Sequence, residues 1–192
     1  MGILEEKIKK NKYRIIFGVL LIYVMGGLAT GGNWLIFFRP AFEGQIIDIE
    51  SREPIEGAVV AAIYNCDMYG GTQLMSGKIG YSEAVTDKNG RFKISRYFNI
   101  TGPLTVGNVT TFVIYKPGYR SIDGKNLEAC FSSGCQRRKF MPSNIVFADH
   151  LVEIPKLGDS ISPRENIPYL QGYDMPWGFP KLQKLIDETN FD

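Results

Sequence analysis

Histidine is almost missing from this chain: His150 is the single one in 192 residues. A catalytic zinc centre needs three protein ligands and an open position for water, and one imidazole cannot head such a set. Cysteine is nearly as scarce. Cys66, Cys130 and Cys135 lack the paired spacing of a tetrahedral zinc site, and no Cys-x-x-Cys-His attaches a haem. No Gly-x-Ser-x-Gly elbow occurs. Asp149-His150 is a tempting acid–base pair, but in the strand expected there neighbours would point to opposite faces. No cofactor, no metal and no catalytic residue is therefore expected, and the chain does not read as an enzyme. An excess of charge of one sign is missing too. The formal net charge is +2, and Gln136-Arg137-Arg138-Lys139 is the one basic cluster after the N-terminus. That cluster reads as a solvated loop, so nucleic acid is not an expected partner.

Long runs that are both uncharged and strongly apolar are absent with one exception. Ile15–Phe38 carries no charge in 24 residues. A helix over it, rising ~1.5 Å per residue, reaches the ~30 Å of a hydrocarbon core. Lys7, Lys9, Lys10, Lys12 and Arg14 precede it, and Arg39 and Pro40 close it. This asymmetry predicts residues 1–14 as a cytoplasmic basic tail, 15–38 as a transmembrane signal anchor and 40–192 outside the cytoplasm. The expected address is the cytoplasmic (inner) membrane, in a single pass. Gly27-Leu28-Ala29 also suits signal-peptide cleavage, so secretion after cleavage stays open. The apolar stretch Trp34–Phe38 argues for retention, because a cleaved product would begin with a sticky exposed segment. Gly27 and Gly31 are spaced as Gly-x-x-x-Gly, which allows close helix–helix contact; the plainer reading is that spanning helices tolerate glycine.

The remaining stretch of roughly 150 residues suits one domain with a substantial core. Outside the cytoplasm its cysteines are free to bridge. Cys130 and Cys135 are the candidate disulfide across Gly134, which leaves Cys66 odd, although Cys66 pairing with either stays open. Short β-patterned segments follow one another: Glu43–Ile49, Ile55–Tyr64, Glu83–Thr86, Arg91–Ser95, Val109–Tyr115, Ile145–Phe147 and Leu151–Ile154. Asp87-Lys-Asn-Gly90 reads as a hairpin turn rather than a calcium loop, since the further oxygen ligands are not at the required spacing. Residues 67–82, with four glycines, read as a long loop, and Phe98–Asn108 as another. Ser121–Ser143 is a polar excursion. Residues 158–178 read as an irregular arm. Pro180–Glu188 reads as a short helix that is stable only if Leu182, Leu185 and Ile186 dock.

The expected fold is mainly β: a sandwich of about seven strands over residues 40–157, one N-terminal transmembrane helix, and an arm with a short helix over 158–192. Its motifs are Glu43-Gly44 … Gly57-Ala58-Val59-Val60 … Thr86-Asp87-x-Asn89-Gly90-x-Phe92 … Lys116-Pro117-Gly118-Tyr119. In this order they resemble the carboxypeptidase regulatory-like domains over roughly residues 42–120. The resemblance implies a transthyretin-like (prealbumin-like) β-sandwich. It carries structural residues only: Gly57 and Ala58 for close packing, Asp87–Gly90 for a turn, Pro117-Gly118 for a strand end. In metallocarboxypeptidases that carry such a domain the chemistry sits in a separate catalytic domain.

Function is expected to be non-catalytic: a membrane-anchored interaction module, acting as accessory or scaffold subunit of an envelope complex. The partner would be another envelope protein or the same chain. The alternative is a module binding envelope polysaccharide or peptidoglycan on an aromatic platform of Tyr69, Tyr81, Tyr169, Tyr173 and Trp177, though aromatics more often serve as core or docking residues.

Overall fold

The computed structural model describes residues 2–29, 36–70, 73–101, 105–124, 127–132, 135–140, 144–159, 161–162, 164–167 and 179–189. In chain order these form α1 (Gly2–Ala29), β1 (Ile36–Arg39), β2 (Phe42–Asp48), β3 (Val59–Gly70), β4 (Gln73–Val85), β5 (Arg91–Ile94), β6 (Tyr97–Ile100), β7 (Thr105–Tyr115) and β8 (Ile122–Gly124). Then come α2 (Glu128–Ser132), β9 (Arg138–Phe140), β10 (Ile145–Ala148), β11 (Leu151–Ile154) and α3 (Pro180–Asp187). The protein is mainly β, as its short alternating segments require. Eleven strands form among the described residues, against about seven expected.

One sheet runs β5-β2-β11-β10-β9 and a second runs β4-β3-β7-β8; β1 and β6 make a separate two-stranded ribbon. Phe42, Ile46, Phe92 and Ile154 of the first sheet share one core with Val60, Tyr64, Phe112 and Ile114 of the second. The Phe42 ring meets Phe112 edge-on at 5.0 Å. β5 alternates strictly, with Phe92 and Ile94 buried and Arg91 and Lys93 exposed. Over Val59–Tyr64, β3 is apolar on both faces, and both are covered. Val60, Ala62 and Tyr64 enter the main core. Val59, Ala61 and Ile63 form a second cluster with Val113, Tyr115, and Phe179 and Leu182 at α3.

The expected 15–38 span needs correction at its end. Ile36–Phe38 are not helical; they form β1, paired antiparallel to β6. Phe37 is fully buried, edge-on to Tyr64 at 5.7 Å and Tyr97 at 5.8 Å. Arg39, expected to cap the span at the membrane surface, instead packs over the Phe37 ring. No helix among the described residues is long and apolar enough to cross a membrane. The uncharged part of α1 runs from Ile15 to Ala29, about 22 Å at the helical rise, short of ~30 Å. An uncharged run says which residues avoid water, not whether lipid or a protein core takes them.

Two loops expected from composition are strands. Residues 67–70 and 73–82 belong to the β3–β4 hairpin, paired from Val59↔Val85 to Gly70↔Gln73. One of its glycines makes room: a Cβ on Gly80 would clash with the Tyr97 hydroxyl. Within the second, residues 98–100 belong to β6 and 105–108 to β7. The turn at Asp87–Gly90 forms, but it is not a hairpin, because β4 and β5 belong to different sheets. Asp87 Oδ1 accepts the Asn89 and Arg91 N–H groups at 2.8 and 2.9 Å. Gly90 has φ +70°, and a Cβ there would meet the Ile46 carbonyl at 2.3 Å. Local chemistry makes the turn; the choice of sheet is made elsewhere. Asp149 and His150 likewise lie in the turn between β10 and β11 rather than in a strand, and His150 has φ +52°.

Candidate functional site

Three features stand out from the folded core: an open cavity beside His150, the β3–β4 hairpin, and the β1–β6 ribbon. The cavity, about 740 Å³, lies where β2, β5 and the β10–β11 turn meet, with Glu43, Asp87, Arg91, Lys93, Asp149 and His150 on its walls. The His150 N–H donates to the Cys130 carbonyl at 3.0 Å, and the His150 carbonyl accepts the Gln45 N–H at 2.8 Å. Its Nδ1 lies 2.8 Å from the Glu43 carbonyl oxygen. A carbonyl only accepts, so Nδ1 carries the proton there. The ring thus ties the turn to β2. Nε2 stands 3.6 Å from Asp149, and no hydroxyl or thiol lies among the lining residues. Lys93 pairs with Glu43, and its hydrogen bond and charge hold the Glu43 carboxyl below its usual range.

One acid on β11 turns inward. Glu153 is fully buried, yet Arg52 reaches it at 2.6 Å and Arg137 at 2.9 Å, both with half-exposed side chains. Arg137 belongs to the cluster read as a solvated loop; one of its members is an ion-pair partner instead. Arg39 donates to Thr110 Oγ1 at 3.0 Å and pairs with Glu128 at 2.9 Å. These contacts join the ribbon to β7 and α2.

The hairpin leaves Met68 and Met75, a directly opposed cross-strand pair, exposed. The outer edge of β4 is met at Ile79, whose carbonyl accepts from the Tyr97 hydroxyl at 2.7 Å and the Asn99 amide at 3.3 Å. The Asn99 side chain thus turns toward β4. At its other end β4 carries Glu83, whose carboxylate accepts the Lys181 and Leu182 N–H groups at 3.1 and 3.0 Å. Glu83 is therefore the cap of α3, which has no side-chain cap of its own.

Cys130 and Cys135 are joined in a disulfide with Cα atoms 4.6 Å apart. Cys66 is a free, buried cysteine, and burial pushes its thiol pKa up. Of the five aromatics considered for a sugar platform, Tyr81 lies beneath α3, 4.8 Å from Phe179. The Lys78 ammonium sits over both rings, and burial lowers its pKa. Tyr81 is thus a docking residue. Tyr69 lies in β3 opposite Leu74, with its side chain outside the described set; Tyr169, Tyr173 and Trp177 lie outside the described residues altogether. Gly27 belongs to α1, and Gly31 lies outside the described residues, so the geometry of that glycine pair is not seen. The exposed face of the ribbon and the Glu83 cap carry no sequence motif. Only the alternation in 36–39 and 97–100 hints at the first.

No family model matches the chain, and no curated protein matches it. Among solved structures, a 9R-lipoxygenase from Cyanothece PCC8801 aligns at 18% identity with a TM-score of 0.25. The alignment covers 67% of this chain and 15% of the lipoxygenase, and a likeness that low carries no argument.

Proposed function

We infer that the protein is a membrane-tethered, extracytoplasmic interaction module with no catalytic role, an accessory or scaffold subunit of an envelope complex. The observation that carries this reading is the β3–β4 hairpin, which offers Met68 and Met75 to solvent near its turn. Exposed methionines suit adaptable protein contacts, because the thioether is polarizable and the side chain unbranched. The resemblance of residues 42–120 to carboxypeptidase regulatory-like domains supports a non-catalytic, transthyretin-like scaffold. The disulfide supports an oxidising compartment. The tether would be α1 together with the residues after it, since the sequence stays uncharged through Leu35, and the basic residues before Ile15 orient it. Partner contact would have two parts: the tether, through Gly27 and Gly31, and the hairpin.

Crosslinking in native membranes should give a recurring neighbour. Met68→Asp with Met75→Asp should weaken its recovery without changing the circular dichroism spectrum. Gly27→Leu with Gly31→Leu should weaken it independently, since close helix approach is lost while apolar length is kept. If no neighbour recurs and neither pair has an effect, the interaction reading fails. A chain found soluble and beginning at Thr30 would remove the tether.

A further inference from the structure

The β1–β6 ribbon has two faces of opposite character. Pairing sets Ile36 opposite Ile100 and Phe38 opposite Phe98, with Phe37–Asn99 and Arg39–Tyr97 on the alternate positions. The alternate positions turn inward: Phe37 is buried, Tyr97 stacks on Tyr64 at 4.2 Å, and Arg39 is nearly enclosed. The other four side chains form the outer face. Ile36, Phe38, Phe98 and Ile100 are exposed by 48, 51, 59 and 73%. An ordinary half-buried ribbon puts polar residues on its wet side. This one carries four large apolar residues there, two of them aromatic, and Arg96 beside them is exposed.

We propose that this outer face rests in the interfacial layer of the membrane that holds α1, so that the domain lies against the lipid in a fixed orientation. The proposal rests on the tethered reading of α1. The first argument is continuity. α1 ends at Ala29 and β1 begins at Ile36, and seven Cα–Cα steps span at most about 27 Å. A helix in the bilayer therefore delivers the ribbon to its surface. The second is chemistry. Aromatic and branched side chains with a neighbouring cation match the boundary between acyl chains and anionic headgroups. Trp34, of the residue type enriched at that boundary, lies just before β1 in sequence. The third is rigidity. Phe37 in the core and the Tyr97 and Asn99 bonds to Ile79 fix the ribbon to the domain. Docking its outer face thus orients the whole sandwich rather than a loose flap.

The test uses the full chain in vesicles of phosphatidylethanolamine and phosphatidylglycerol, with or without brominated acyl chains. A bimane label is placed on L20C, F98C, I100C or K88C. Cys66 is buried and the other cysteines are bridged, so labelling is selective. Bromine should remove emission at positions 20, 98 and 100 and leave position 88 unchanged. Loss at 20 without loss at 98 and 100 overturns the proposal while the tether stands. Loss at neither 20 nor 98 overturns both. Loss at 98 and 100 but not at 20 keeps lipid contact by the ribbon and removes the tether. Spin labels at position 98 that report a short distance between copies, without quenching, would assign the face to a second copy and overturn the proposal.

Discussion

Asp48 ends β2 with its side chain out of water, and the polar turn that follows is built on it. Burial opposes its charge, but the Glu50 and Ser51 N–H groups reach Oδ1 at 2.7 and 3.1 Å and Lys156 lies 4.0 Å away. The balance lowers the Asp48 pKa below its ordinary value. A carboxylate with a depressed folded pKa adds stability in full above its unfolded pKa of about 4, and that stability is lost as pH falls through the folded value. Asp48→Asn should therefore be less stable than the parent at pH 7, with the gap narrowing below about pH 4; urea midpoints across pH 2–7 check this. The same turn holds Arg52, at φ +63°, on the buried Glu153. Removing one partner of a buried pair leaves a charge without compensation, a loss of about 3–5 kcal/mol. Arg52→Ala with Arg137→Ala should show that loss for the buried Glu153 carboxylate, measured by denaturant unfolding.

At the scale of elements, α3 shows how a marginal helix is held. Eight residues do not make a stable helix in water. Pro180 starts it, the Glu83 carboxylate caps it from β4, and Leu182 is buried against the outer face of the second sheet. Glu83→Ala should cost about 1 kcal/mol as a lost cap, and Leu182→Ala about 2–4 kcal/mol. Both should speed amide exchange in residues 182–188 more than in β2, read by hydrogen exchange. The helix itself is legible, since proline and three apolar residues at helical spacing are local signals. Its cap is not: Glu83 lies 98 residues before Lys181, and no pattern marks it. The β3–β4 hairpin erred the other way. Four glycines read as a loop, but β4 pairs along β3, whose other edge pairs with β7, and Gly80 leaves room for the Tyr97 side chain against β4.

For the molecule as a whole, the disulfide fastens α2 beneath the first sheet. Cys130 and Phe131 lie in the main core, and the Cys130 carbonyl holds the His150 turn. Closing so short a loop is worth about 2 kcal/mol in chain entropy. Cys130→Ala with Cys135→Ala should lower unfolding stability by about that amount and increase exchange at His150, checked by urea unfolding with unchanged slope and by amide exchange. The proposed orientation at a membrane would be a second molecular property, resting on a ribbon face of two residues from each strand.

The sequence by itself determined the mainly β class, the Asp87–Gly90 turn, the C-terminal helix and an uncharged N-terminal run. These follow from local signals: alternation, turn chemistry, helical spacing and the absence of charge. Tertiary structure decided where those pieces went. It split β4 and β5 between two sheets. It drew Ile36–Phe38 out of the expected span into a strand, because Phe37 packs edge-on against the stacked Tyr64 and Tyr97 and Arg39 finds Thr110 and Glu128. It also set β11 parallel to β2, more than a hundred residues away. Each outcome depends on side chains distant in sequence, and hydrophobicity, being non-directional, records only that a residue leaves water and not which neighbour receives it.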